Sequence, residues 1–156
     1  MVIYLPLTAS FTMLLLARPG FEGAAWVIQF VVPTALIDTS GYLVGRKFGK
    51  RRIAPGVSPK KSLEGLIASI VAGVTSSVLL MTLVLHHEWY WGVLTAAAVL
   101  TTAVFGDLAE SLIKRDLGVK DMSTWLPGHG GVMDRLDSML PSALIMYVIA
   151  TICFPV

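Results

Sequence analysis

Residues 63–85 read LEGLIASIVAGVTSSVLLMTLVL, an apolar run long enough to cross a hydrocarbon core about 30 Å thick as a helix. Gly65, Ala68, Ser69, Ala72, Gly73, Ser76 and Ser77 supply small side chains within it. In lipid, where apolar surface alone does not drive helices together, such residues let two backbones approach closely. The run therefore predicts a membrane helix with a packing face, which serves equally for contact within the chain or between two copies.

The rest of the chain agrees. With 55% hydrophobic residues, 14% charged residues and a mean hydropathy of +0.75, it is too apolar for a soluble domain of 156 residues. The single cysteine, Cys153, excludes a disulfide framework and a cysteine metal site. The net charge of +2 says little, because the charges are unevenly placed. The first apolar run starts at Val2 with no basic region before it and no small-residue cleavage site after it, so a secretory signal is not expected, whereas an N-terminally shortened chain is.

Five apolar segments can be drawn. They are Val2 to Ala17, Ala24 to Leu36 with continuation through Asp38 to Val44, Leu63 to Leu85, Gly92 to Phe105, and Ser138 to Phe154. Pro33 predicts a kink in the second. Arg18-Pro19-Gly20 and His86-His87-Glu88 read as turns, Arg46 to Ser62 as a basic loop, and Trp89-Tyr90-Trp91 as an interfacial aromatic belt. The expected fold is an all-α, polytopic membrane bundle of about five transmembrane segments, one domain over residues 1–156. Eleven of the twelve cations lie in residues 46–62 and 114–135, which fall on one side when five segments alternate. That side is assigned to the cytoplasm, and only Arg18 lies elsewhere.

Charge is concentrated in Gly106 to Asp137, which holds six of the ten acidic residues and four of the twelve basic ones. If Gly106 to Arg115 is helical, Asp107, Glu110, Ser111 and Lys114 share one face. Asp134 and Asp137, three apart, open the last apolar segment, where they could instead cap it and favour its positive end. From Trp91 to Asp107 is roughly 24 Å of helix, which submerges Asp107 near the inner boundary, and Asp38 lies roughly 12 Å inside Arg46. Submerged carboxylates call for a hydrated cavity, a metal or a partner cation such as Lys114 or Arg46.

A cytoplasm-facing polar cavity with carboxylates inside and cations at its rim suits Mg2+ and phosphate together, as in transfer at phosphorus. Gly128, Gly130 and Gly131 allow a tight backbone path around His129, whose favoured role is phosphate contact over proton donation or a plain loop position. Lys60 and Lys61 either guide anionic lipid or nucleotide inward or serve as topology determinants.

The run Ser111-x-x-Lys114-Arg115, Lys120-Asp121, Leu126-Pro127-x-His129-Gly130-Gly131, Asp134-Arg135-x-Asp137 resembles the signature of the phosphatidate cytidylyltransferases, also called CDP-diacylglycerol synthases, with its fixed positions filled over residues 111–137. Asp38-Thr39-x-Gly41-Tyr42, Gly45-Arg46-x-Phe48-Gly49-Lys50 and Ser58-Pro59-Lys60-Lys61-Ser62-x-Glu64-Gly65 are similar to a second block of that family. The resemblance implies the C-terminal catalytic half of longer proteins that carry additional N-terminal membrane helices. It implies CTP and phosphatidic acid as substrates, CDP-diacylglycerol and pyrophosphate as products, membrane lipids but no nucleic acid as partners, and a bacterial inner membrane as the place. Asp107, Asp134, Asp137 and Lys114 are then the expected catalytic residues. The three aspartates would bind Mg2+, with a second cation conceivable and Glu110 and Asp38 in support. Ser111, Arg115, Lys120, His129, Gly130, Gly131, Arg135, Lys60 and Lys61 are the expected substrate contacts. The face on segment three leaves a homodimer open. Rival readings are a CTP-dependent polyprenol kinase, a CDP-archaeol synthase differing only in its lipid, and a transporter. Eight of ten acids on the inner side argue against transport, and the aspartate pattern of the CDP-alcohol phosphotransferases is not found.

Overall fold

Gly65, Ser69, Gly73, Ser77 and Met81, spaced four apart, are the buried residues of the helix α3, Leu63–Leu83. A ridge at this spacing can lie against the matching ridge of a second helix, and small residues bring the two backbones almost into contact. The partner is α2, Glu22–Phe48, whose buried residues run from Gly23 through Gln29 and Pro33 to Ile37. A methyl group added at Gly65 would lie 2.7 Å from the Gly41 carbonyl oxygen and 3.2 Å from Gly45 Cα, and one at Gly73 would lie 2.7 Å from Ile37 Cγ1. Ser69 Oγ donates across the seam to the Ile37 carbonyl at 2.7 Å. The small-residue face expected from sequence is thus occupied within the chain.

The computed structural model describes residues 4–54, 58–116 and 139–155. In chain order its elements are α1 (Tyr4–Leu16), α2, the strands β1 (Arg52–Ala54) and β2 (Ser58–Ser62), α3, α4 (Trp89–Asp116) and α5 (Met139–Cys153). Each of the five predicted apolar segments holds a helix among its described residues. α2 and α3 run antiparallel, since Gly41 meets Gly65 while Gln29 meets Ser77. α4 returns antiparallel to α3: Gly92 packs on the Val78 backbone and Leu100 approaches Gly73.

A polar joint ties these three helices together. Gln29, fully buried, donates through Nε2 to Ser77 Oγ at 2.8 Å, the Ser77 carbonyl at 3.1 Å and Thr95 Oγ1 at 3.0 Å. Its Oε1 is buried with no hydrogen-bond partner among the described residues. Interhelical hydrogen bonds inside membrane proteins average about 0.6 kcal/mol each, and the orphan oxygen offsets part of their sum. Gln29→Leu is accordingly expected to lower stability by only about 1 kcal/mol, read as a shift in the unfolding midpoint in mixed micelles. A loss above about 3 kcal/mol would mean that the joint does more than bind helices.

At the other end of the bundle, Arg18 closes the fold. Its guanidinium donates to the Ala150 carbonyl at 3.1 Å and to that of Phe154, pairs with Glu22 at 3.6 Å and sits 5.9 Å from the Trp26 ring centre. A cation at the carbonyl end of α5 meets the negative end of the helix dipole. Beside it, Trp26, His87, Trp91 and Phe154 form an aromatic cluster with ring centres 4.2 to 6.4 Å apart. Thr102 and Ser142 join α4 to α5 with hydroxyls 2.9 Å apart.

The outer surface is apolar. Ile67, Ile70, Val71, Leu79 and Leu83 of α3, Leu36 and Leu43 of α2, Leu94 of α4 and Ile152 of α5 are all exposed. Large aliphatic side chains cover the outside while Gln29, Thr34, Ser77 and Thr95 are buried beside an apolar core, and lipid is the solvent that suits such a surface. α2 and α3 are long and apolar enough to cross a bilayer. The chain is a helical membrane protein.

Two boundaries differ from the sequence reading. α2 continues past Val44 to Phe48, so Arg46 and Lys47 belong to its last turn, and Trp89-Tyr90-Trp91 opens α4 rather than preceding it. The remainder of the expected basic loop holds an antiparallel hairpin, with Arg52 opposite Ser62 and Ala54 opposite Ser58.

Candidate functional site

α4 is unbroken from Trp89 to Asp116, which meets the condition on which the sequence reading of Gly106 to Arg115 rested. On a continuous helix Asp107, Glu110, Ser111 and Lys114 take i, i+3, i+4 and i+7 positions and share a face, with Arg115 next to Lys114. Asp107 stands 18 residues, or about 27 Å of helix, beyond Trp89.

The register between helices brings a second carboxylate level with the first. α2 and α4 run parallel, both opposed to α3, and the Gln29 Nε2 to Thr95 Oγ1 bond pins them at one depth. Asp38 lies nine residues past Gln29 and Asp107 twelve past Thr95, about 14 and 18 Å along their axes. Both therefore fall near the same end of the bundle, and Asp38 is exposed there.

The hairpin, which carries Lys60 and Lys61 on β2, springs from this end as well, between the C-terminus of α2 and the N-terminus of α3. Asp116, the last residue of α4, and Met139, the first of α5, bracket the charged segment 117–138 at the same end. The topology thus gathers the charged face of α4, Asp38, the cationic hairpin and both ends of that segment at one side of the membrane bundle. Lys120, His129, Gly130, Gly131, Asp134, Arg135 and Asp137 lie outside the described residues.

No cluster of three or more histidine, cysteine, aspartate or glutamate side chains occurs among the described residues, and Asp38 is the one expected carboxylate whose side chain is among them. The donor set expected for Mg2+ is all carboxylate oxygen, which fits a hard cation that also binds phosphate.

Sequence reasoning missed the base of the hairpin. Glu64, in the first turn of α3, accepts from the backbone amides of Lys50 at 3.1 Å and Arg51 at 3.4 Å. The Leu63 amide donates to the Arg51 carbonyl at 2.9 Å, and Ser62 caps α3 by accepting from the Gly65 amide at 3.2 Å. A serine just before an apolar run, with an acid two residues on, is the signal that marks this helix start.

An apolar exterior, interior seams that include small and polar residues, and helices long enough to cross a bilayer define an intramembrane protein. The chain belongs to the cytidylyltransferase family, whose model matches residues 1–153. It is 44% identical over 153 residues to a phosphatidate cytidylyltransferase of Mycobacterium bovis, covering 97% of this chain and 49% of that one. A phosphatidate cytidylyltransferase of Thermotoga maritima is 40% identical over 134 residues, covering 81% and 49%. The chain spans about half the length of these curated relatives. Among solved structures, an intramembrane enzyme for archaeal membrane lipids biosynthesis superposes with a TM-score of 0.56 at 25% identity, over 78% of this chain and 75% of that one.

Proposed function

We propose that this chain carries the catalytic region of a phosphatidate cytidylyltransferase, which transfers CMP from CTP to phosphatidic acid and releases pyrophosphate. The observation that carries the reading is the convergence at one end of the bundle of the α4 charged face, Asp38, the hairpin and both ends of segment 117–138, in a member of the cytidylyltransferase family. A phosphate oxygen of phosphatidate attacks the α-phosphorus of CTP. A new P–O bond forms, the bond to the bridging oxygen between the α- and β-phosphorus breaks, and that oxygen leaves with the electron pair on pyrophosphate.

No protein nucleophile is needed, because phosphatidate supplies it. The protein aligns two polyanions and neutralises their charge. Lys114, Arg115, Lys120 and Arg135 hold the phosphates, Ser111 and His129 orient them, and the Gly130-Gly131 backbone permits close approach. Asp107, Asp134 and Asp137 hold Mg2+, supported by Glu110 and Asp38; the bound ion supplies further charge neutralisation at the reacting phosphates. The chain crosses a bacterial inner membrane through its five helices with the site facing the cytoplasm, as the placement of the cations favours. α1 and α5, 13 and 15 residues long, span with help from their flanking residues.

CTP labelled separately at the α- and γ-phosphates tests the reading. Incubated with phosphatidate in micelles, α-label is expected in an organic-soluble product and γ-label in pyrophosphate. Transfer of γ-label to lipid would instead make the protein a lipid kinase.

A further inference from the structure

A run of five cations, Lys50, Arg51, Arg52, Lys60 and Lys61, with no acid among residues 50–61, makes the hairpin self-repelling. Something must fix where it leaves the bundle. The base supplies three constraints. The Glu64 carboxylate binds the Lys50 and Arg51 amides, the Leu63 amide closes onto the Arg51 carbonyl, and the chain passes Ser62 at Gly49, where a methyl group would sit 2.7 Å from Ser62 Oγ. Glu64 thus directs its oxygens at backbone N–H groups that have just left α2. A carboxylate used this way ties the strand down without replacing the phosphate that a lysine of the hairpin could bind.

We propose that Glu64 is a positioning residue, which clamps the root of the hairpin so that Lys60 and Lys61 are held at the site end to receive a phosphate group of substrate. This rests on the cytidylyltransferase reading. The phosphate belongs to the nucleotide or to the lipid headgroup, and separate titrations distinguish them.

The test compares wild type, Glu64→Ala, Glu64→Gln, Lys60→Ala/Lys61→Ala and the combined triple variant. KM is measured for CTP and for phosphatidate, and equilibrium binding of labelled CTP and of short-chain phosphatidate is measured alongside. Glu64→Ala is expected to weaken one substrate about tenfold while kcat stays within about twofold, the pattern of a lost binding contact. Glu64→Gln keeps an acceptor oxygen and is expected to restore most of that loss. In the Lys60→Ala/Lys61→Ala background, Glu64→Ala is expected to add nothing, because its effect acts through those lysines. Backbone exchange at Lys50 and Arg51 should accelerate at least about tenfold in Glu64→Ala. A fall in kcat with KM and binding unchanged, or full additivity in the triple variant, overturns the proposal. If wild type binds both substrates and Glu64→Ala weakens that binding and speeds the exchange, yet wild type transfers no α-label, the clamp stands and the assigned reaction fails. If wild type transfers label and Glu64→Ala changes neither KM, the clamp fails alone.

Discussion

Asp134→Asn is expected to cut transfer of α-label from CTP to lipid by about 10²- to 10³-fold, with the unfolding midpoint in micelles nearly unchanged. Asparagine keeps the size of aspartate and one acceptor oxygen but loses the negative charge that would hold Mg2+ against the triphosphate. If the step depends on alignment and charge neutralisation alone, no other group takes over that charge, so the loss appears mainly in kcat. Asp38→Asn tests the same idea from α2. Its supporting place predicts a smaller loss, on the order of tenfold, because a group that acts through neighbours typically costs less than a direct ligand. More than a tenth of wild-type activity in Asp134→Asn, or full activity with magnesium chelated, would remove the carboxylates from the proposed role.

Helices were readable because apolar length and small-residue spacing are local properties. The run at 63–85 offered seven small residues as its packing face, of which α3 buries Gly65, Ser69, Gly73 and Ser77, together with Met81, and leaves Ala68, Ala72 and Ser76 half-buried. The shared face of Asp107, Glu110, Ser111 and Lys114 was readable on the same ground, needing only that α4 continue past Gly106. The hairpin was not readable. Ser58-Pro59-Lys60-Lys61-Ser62 has no β-branched residue and no apolar alternation, and proline is a poor strand residue, so its pairing depends on contacts at Glu64 and Leu63 rather than on propensity. Gln29 was equally hidden, because one amide in an apolar segment shows its partners only once α3 and α4 are in place. What brings Asp38 level with Asp107 is this tertiary register, and no spacing along the chain contains it.

Gly65→Val carries the largest expected structural effect. The first carbon of the new side chain would lie 2.7 Å from the Gly41 carbonyl oxygen, 3.2 Å from Gly45 Cα and 3.2 Å from Ser62 Oγ. Two of those neighbours are backbone, so no rotamer change relieves them, and α2 and α3 must separate. A glycine replaced within a helix gains only some tenths of a kcal/mol of propensity when the new residue is β-branched, against about 3 kcal/mol or more for forced overpacking of this kind. Separation also lengthens the Ser69 bond to the Ile37 carbonyl and shifts the root of the hairpin, since Ser62, Glu64 and Gly65 share one helix start. Val71→Ala, on the exposed outer face of the same helix, is the control and is expected to change stability by less than about 1 kcal/mol. Unfolding in mixed micelles would measure both. A Gly65→Val midpoint equal to that of Val71→Ala would show that α2 and α3 do not pack through the Gly41 and Gly65 seam. A large loss for Gly65→Val alone, together with faster backbone exchange at Lys50 and Arg51, would tie the helix seam to the geometry of the site end.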